Sequence, residues 1–108
     1  MMRLTMLLER GLFRVYVLWM CSKRTMSGDD FVNIEMGHGH ELSAGRLYPV
    51  LAELAEAGYL KAEDRNEHGR LHKYYKTTED GLNKLAAIKR DLGEPMREFV
   101  LQWLSERP

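Results

Sequence analysis

A single cysteine, Cys21, leaves the chain without an intrachain disulfide, which excludes a secreted disulfide scaffold and suits a reducing cytoplasm. Long hydrophobic runs are also missing. The apolar stretch from Val15 to Cys21 falls far short of the roughly 20 residues that span a bilayer, and no small-residue cleavage site follows it. Neither a membrane anchor nor a signal peptide is expected. Charge of one sign is lacking too: 16 Lys and Arg balance 16 Asp and Glu, so any affinity for an acidic polymer must come from where the charges sit. No Gly-rich phosphate loop, nucleophile elbow or carboxylate pair in a credible setting appears, so neither an enzyme nor a cofactor site is expected. His38, His40, His68, His72 and Cys21 lack the His-Glu-x-x-His or Cys-x-x-Cys spacing of a metal centre, and no metal ligand is assigned.

What is present is one domain's worth of apolar pattern. Hydrophobic residues make up 44% of 108 positions, enough for one modest core and not for two. Leu8, Leu12, Val15 and Trp19, with Leu7, Phe13 and Met20, recur at helical spacing from about Leu4 to Ser22. So broad an apolar surface needs cover on more than one side, from other helices of the chain or from a partner. Ser27 stands as the cap of a short second helix with Asp29 and Asp30 in its first turn. Ser43 then caps a third helix over 43–57, whose stripe is Leu47, Val50, Leu51 and Leu54, with Pro49 inside it and Gly58 at its end.

Beyond Gly58 the period changes. Tyr59–Glu63 and Leu71–Thr77 read as two strands around a polar loop from Asp64 to Arg70. Thr78 caps a fourth helix carrying Leu82, Leu85, Ile88 and Leu92, and Gly93 and Pro95 then interrupt the pattern. A last amphipathic segment shows Met96, Phe99, Val100, Trp103 and Leu104, either as a separate helix or as a kinked continuation. The order is that of a mostly α chain with a small β-hairpin wing, an α+β winged helix-turn-helix with one further C-terminal helix. The expected division is a head over 1–92 and an extension over 93–108.

Leu42-Ser43-Ala44-Gly45-Arg46-Leu47-Tyr48-Pro49-Val50-Leu51 resembles the recognition-helix signature of the PadR family of regulators. Glu56-Ala57-Gly58-Tyr59-Leu60, Gly69-Arg70 with Lys73-Tyr74-Tyr75-Lys76, and Thr78-Glu79-Asp80-Gly81 resemble that family's helix end, wing and start of the dimerisation helix, in the same order. The likeness covers roughly residues 25 to 92. Asp29 departs from it where an aromatic residue is frequent, and Ala44 where proline is. The resemblance implies a cytoplasmic transcription regulator, most often a repressor, that binds double-stranded DNA as a homodimer.

Physical reasoning runs beside the likeness. A helix laid in the major groove offers its N-terminal residues to base edges and its free N–H groups to phosphates. Ser43, Gly45, Arg46 and Tyr48 stand there. Arg46 suits a guanine or a phosphate, while Ser43 and Tyr48 suit phosphates unless Ser43 is a simple cap and Tyr48 a buried aromatic. From Arg65 to Lys76, the cations Arg65, Arg70, Lys73 and Lys76 face Glu67 alone, an excess of +3, with His72 beside them. Such a wing, over 60–76, lies on the backbone or in the minor groove and positions the head, unless it is an ordinary solvated hairpin. Leu8, Leu12, Val15, Trp19, Leu85, Ile88, Leu92, Phe99 and Trp103 are the candidate dimer interface, each with the alternative of monomer core. The resemblance implies that a small aromatic effector could bind there, for which Trp19, Phe99 and Trp103 offer faces, although aromatics at helical spacing more often pack a core. The rival reading is a winged helix that binds an acidic protein in place of DNA.

Overall fold

Apolar residues at helical spacing form α1 (Leu4–Lys23) in the computed structural model, which describes residues 3–37 and 44–107. The two halves of α1 meet different surroundings. Val17, Leu18 and Cys21 are buried in the core, whereas Leu4, Leu7, Leu8 and Leu12 are exposed. Burial pushes the Cys21 thiol up to about 12, so the side chain is a neutral core group at physiological pH.

After α1 the chain forms β1 (Met26–Ser27), a two-residue strand that sequence periodicity does not announce. It leads directly into α2 (Gly28–Gly37). Ser27 caps α2 as expected, and the cap is reciprocal. Its Oγ accepts from the Asp30 N–H at 3.1 Å, while Asp30 Oδ2 accepts from the Ser27 N–H at 2.9 Å.

The third helix, α3 (Ala44–Glu56), turns Leu47, Val50, Leu51 and Leu54 inward. Its end is a Schellman arrangement: the Gly58 N–H bonds Ala55 O at 3.0 Å and the Tyr59 N–H bonds Leu54 O at 2.9 Å, with Gly58 at φ +85°.

The hairpin is longer than expected, with β2 over Leu60–Glu67 and β3 over Arg70–Thr77. The segment from Asp64 to Arg70 is therefore strand except at its tip. His68 and Gly69 both have positive φ, 53° and 79°, the backbone of a two-residue turn whose twist matches that of the flanking strands. Strand β3 lies between the other two, antiparallel to both, with Ser27 opposite Tyr74 and Met26 opposite Tyr75. Tyr75 is buried and Tyr74 is not, as alternation along a strand requires.

Thr77 ties the sheet to α1 through a buried 2.7 Å hydrogen bond from its Oγ1 to Leu18 O. Thr78 then caps α4 (Glu79–Ile88), accepting from the Gly81 N–H at 3.1 Å and donating to Gly58 O at 2.6 Å. Of the two readings left open at Gly93 and Pro95 the chain takes the continuation: a π-helical turn, Lys89–Gly93, joins α4 to α5 (Glu94–Ser105). Pro95 falls in the first turn of α5, and the wide turn before it accommodates the hydrogen bond that proline cannot donate.

The core is built from all three parts of the head: Val17, Leu18 and Cys21, then Met26 and Phe31, then the α3 stripe with Leu60 and Tyr75. In contrast, α5 has no buried residue and continues the helical run of α4 and the π turn. The molecule measures 53 × 30 × 30 Å, with a radius of gyration of 15.7 Å, against about 13 Å for a compact chain of this size. Among the described residues no helix is long and apolar enough to cross a membrane.

Candidate nucleic-acid interface

Successive residues of α3 advance by about 100°, so burial of Leu47, Val50, Leu51 and Leu54 sends Gly45, Pro49, Ala52 and Glu56 to the opposite, exposed ridge. Arg46 and Tyr48 flank that ridge and leave it in opposite directions. The Arg46 guanidinium lies along α1, 5.0 Å from the centre of the Phe13 ring and 4.0 Å from Glu9 Oε2. Tyr48 reaches the other way, to the first residue of α2. There its ring meets Gly28 and walls a cleft of about 250 Å³ with Ser27, Asp29, Leu71, His72, Lys73 and Tyr75. Ser43, His38 and His40 lie outside the described residues.

The cleft brings the start of α2, the flank of α3 and the wing to one place. Gly45, Tyr48, His72 and Lys73 are thus on or beside a common surface, while Arg46 rests on the α1 side of the ridge. Sequence reasoning missed Gly28 and Leu71 here. A glycine directly after a helix cap is the sign that the sequence offers of Gly28, and Leu71, at 70% exposure, carries no signal beyond that of a strand residue.

The wing's charge is more mixed than its last twelve residues imply. Over the whole hairpin, Lys61, Arg65, Arg70, Lys73 and Lys76 meet Glu63, Asp64 and Glu67. Asp64 is directly opposite Lys73 and Glu67 opposite Arg70, while Glu63 Oε2 is 3.5 Å from Arg65. Five cations against three carboxylates still leave a positive hairpin. One face carries Lys61, Glu63, Arg65, Glu67, Arg70, His72, Tyr74 and Lys76 in register, and Lys73 lies on the other face with Asp64. On the first face the Arg65 guanidinium lies 4.5 Å over the Tyr74 ring, whose hydroxyl donates to Glu67 Oε2 at 2.9 Å. That hydrogen bond to a carboxylate raises the Tyr74 pKa and keeps the hydroxyl a donor.

The residues proposed for an interface between protomers divide by exposure. Leu8, Leu12, Trp19, Leu92, Phe99 and Trp103 are exposed, whereas Val15, Leu85 and Ile88 are half-buried within the chain. Val15 and Ile88 line a second cleft of about 230 Å³ with Leu18, Leu54, Ala57 and Tyr59. At its edge Arg14 donates to both oxygens of Glu53, at 2.6 and 3.0 Å, joining α1 to α3. Arg14 holds the Glu53 carboxyl below its ordinary range. Phe99 and Trp103 stack with ring centres 6.0 Å apart, and among the described residues no ring contact links either to Trp19, whose ring faces the Lys23 ammonium at 5.5 Å.

Comparison with known proteins gives this geometry a family. Residues 29–87 match the transcriptional regulator PadR-like family. The transcriptional regulator Rv3488 of Mycobacterium tuberculosis (strain ATCC 25618 / H37Rv) is 31% identical over 92 residues, 85% of this chain and 86% of that protein. A PadR family transcriptional regulator from Eggerthella lenta has a similar structure, with a TM-score of 0.75 at 28% identity over 95% of this chain and 92% of that one. Bacillus subtilis PadR, solved in complex with operator DNA, shares the fold at a TM-score of 0.62 and 19% identity, over 90% of this chain and 49% of that one. With the family match running from α2 through α4, and the likeness to Rv3488 extending over most of both proteins, the chain belongs to the PadR-like family of transcriptional regulators.

Proposed function

We propose that the protein is a cytoplasmic, non-enzymatic repressor that binds double-stranded DNA sequence-specifically as a homodimer. The observation that carries this reading is the placing of the exposed α3 ridge beside a positive wing, with Tyr48 and the start of α2 between them. Helix α3 enters the major groove and the hairpin lies on the backbone or in the minor groove, so that Ser43, Gly45, Arg46 and Tyr48 meet bases and nearby phosphates. Arg65, Arg70, His72 and Lys73 supply backbone contacts. Arg46 leaves Phe13 on binding, a side-chain rotation at the surface. The operator complex of Bacillus subtilis PadR, a protein of the same fold, supports the DNA assignment.

A single head makes few contacts, whereas a two-fold dimer reads two half-sites roughly 34–36 Å apart. The exposed apolar residues of α1 and α5 supply the second surface that such a dimer needs. Residues 1–92 form the reading head and 93–108 the assembly helix, and the interface offers Trp19, Phe99 and Trp103 to a small aromatic effector.

The test is fluorescence anisotropy against DNA from upstream of the protein's own gene and against a scrambled duplex, each over a salt series. Preference for the upstream duplex, with affinity falling steeply in salt, is the expected result. Absence of binding to either duplex at low salt reassigns the wing to an acidic protein partner.

A further inference from the structure

Conformational freedom does not explain Gly28. Among the described glycines only Gly58 and Gly69 have positive φ, and Gly28 opens α2, where alanine is the better helix former. What glycine supplies there is space. A Cβ at this position would lie 2.5 Å from both Cε1 and the hydroxyl oxygen of Tyr48 and 2.6 Å from Cζ, so either the end of the Tyr48 side chain or the helix that carries it must shift to admit a methyl group.

The surface beneath the ring is fixed on two sides. The reciprocal Ser27–Asp30 bonds hold the first turn of α2, and Ser27 is also paired with Tyr74 of the wing. The first turns of α3 are less well held from within, because Pro49 has no N–H to donate toward Gly45. A side-chain contact is therefore well placed to set the position of this part of the helix. Tyr48 makes that contact although it lies off the buried stripe and keeps 46% exposure.

We infer that the Gly28–Tyr48 contact is a seat that sets the N-terminal half of α3 against α2 and the wing. Tyr48 is then a positioning residue that sets the preference among duplexes through its ring, while the phosphate contact proposed above for its hydroxyl carries no sequence information. The part of this inference that concerns DNA rests on the proposed function; the part that concerns the helix does not.

A double-mutant cycle over Gly28→Ala and Tyr48→Ala tests both parts. In the free full-length protein, Gly28→Ala shifts the backbone amide resonances of Leu47 to Leu51, and in the Tyr48→Ala background the same change leaves them in place. With a duplex selected from a randomised pool and its scrambled counterpart as probes, Gly28→Ala lowers the preference about tenfold, the scale of coupling between groups in contact. It has no further effect once Tyr48 is alanine. Tyr48→Phe keeps the ring and keeps the preference.

Unshifted amides in Gly28→Ala, or additive losses across the cycle, overturn the seat. A loss in Tyr48→Phe as large as in Tyr48→Ala assigns the role to the hydroxyl and overturns it as well. Should Gly28→Ala not fold, the double variant, in which the added methyl meets no ring, folds if the seat is right and fails if it is wrong. Wild-type protein that does not distinguish the duplexes removes the proposed function, while the amide shifts still decide the seat.

Discussion

A methyl group added at Gly81 would lie 2.3 Å from the carbonyl oxygen of Tyr59 and 2.6 Å from Thr77 Cγ2. The first turn of α4 therefore sits on the chain that leaves α3, and Gly81→Ala forces the two apart. The expected cost is about 2 kcal/mol, read as a lower urea midpoint with an unchanged slope. Glu53 is a milder case. Arg14 lowers its pKa in the folded state, so the pair contributes stability above the ordinary carboxylate range and loses it as pH falls through the lowered folded value. Both side chains are partly exposed, which limits the contribution to under about 1 kcal/mol. The stability gap between wild type and Glu53→Gln, followed by thermal melts across acid pH, should close as the carboxylate protonates. At this scale the helix caps were legible: Ser27 and Thr78 do what a hydroxyl before a run of acidic and apolar residues does. The places of Arg46 and Tyr48 were not legible, because Phe13 and Gly28, on other helices, decide them.

The hairpin shows why elements are harder to read than caps. From Lys61 to Glu67 every residue but Ala62 is polar, so the first half of β2 is legible as strand but its second half, Asp64 to Glu67, has no apolar alternation to reveal it and reads as loop. Pairing with β3 makes it a strand, which a single segment cannot show. The turn at its tip is nearly ideal: position 69 holds glycine, whereas His68 occupies left-handed backbone that asparagine tolerates better. His68→Asn should raise stability by about 0.5 kcal/mol, seen as a higher melting temperature with unchanged DNA binding. The π turn was missed for a related reason. Gly93 and Pro95 are local signs of a break, but the helix continues because one wide turn absorbs the proline. Element β1, only two residues long, exists as a partner of β3 and leaves no periodic trace.

For the whole molecule, the winged-helix order was legible because Ser27 and Thr78 cap their helices and α3 carries a clear apolar stripe, whereas the unbroken passage from α4 through the π turn into α5 leaves no sign in the residues. The elongated shape comes from α5, which leaves the head and carries Phe99, Leu101, Trp103 and Leu104 into solvent. Under the proposed dimer, Trp103→Glu buries a charge in the interface and should convert the protein to monomers in sedimentation at micromolar concentration, with the head's core intact. Salt dependence of DNA binding should fall with it, since half the phosphate contacts go.

Helix α5 is nucleated by the π turn and α4 before it, but with no buried residue of its own it takes no stabilisation from the head's core. In such a dimer, order in α5 then obeys mass action, and the amount of chain in the cell sets the fraction of tails that are helical. If the proposed dimer forms, unassembled copies would leave this apolar end open to proteases and assembled copies would hide it. Turnover would then be a gauge of assembly, slower in wild type than in Trp103→Glu.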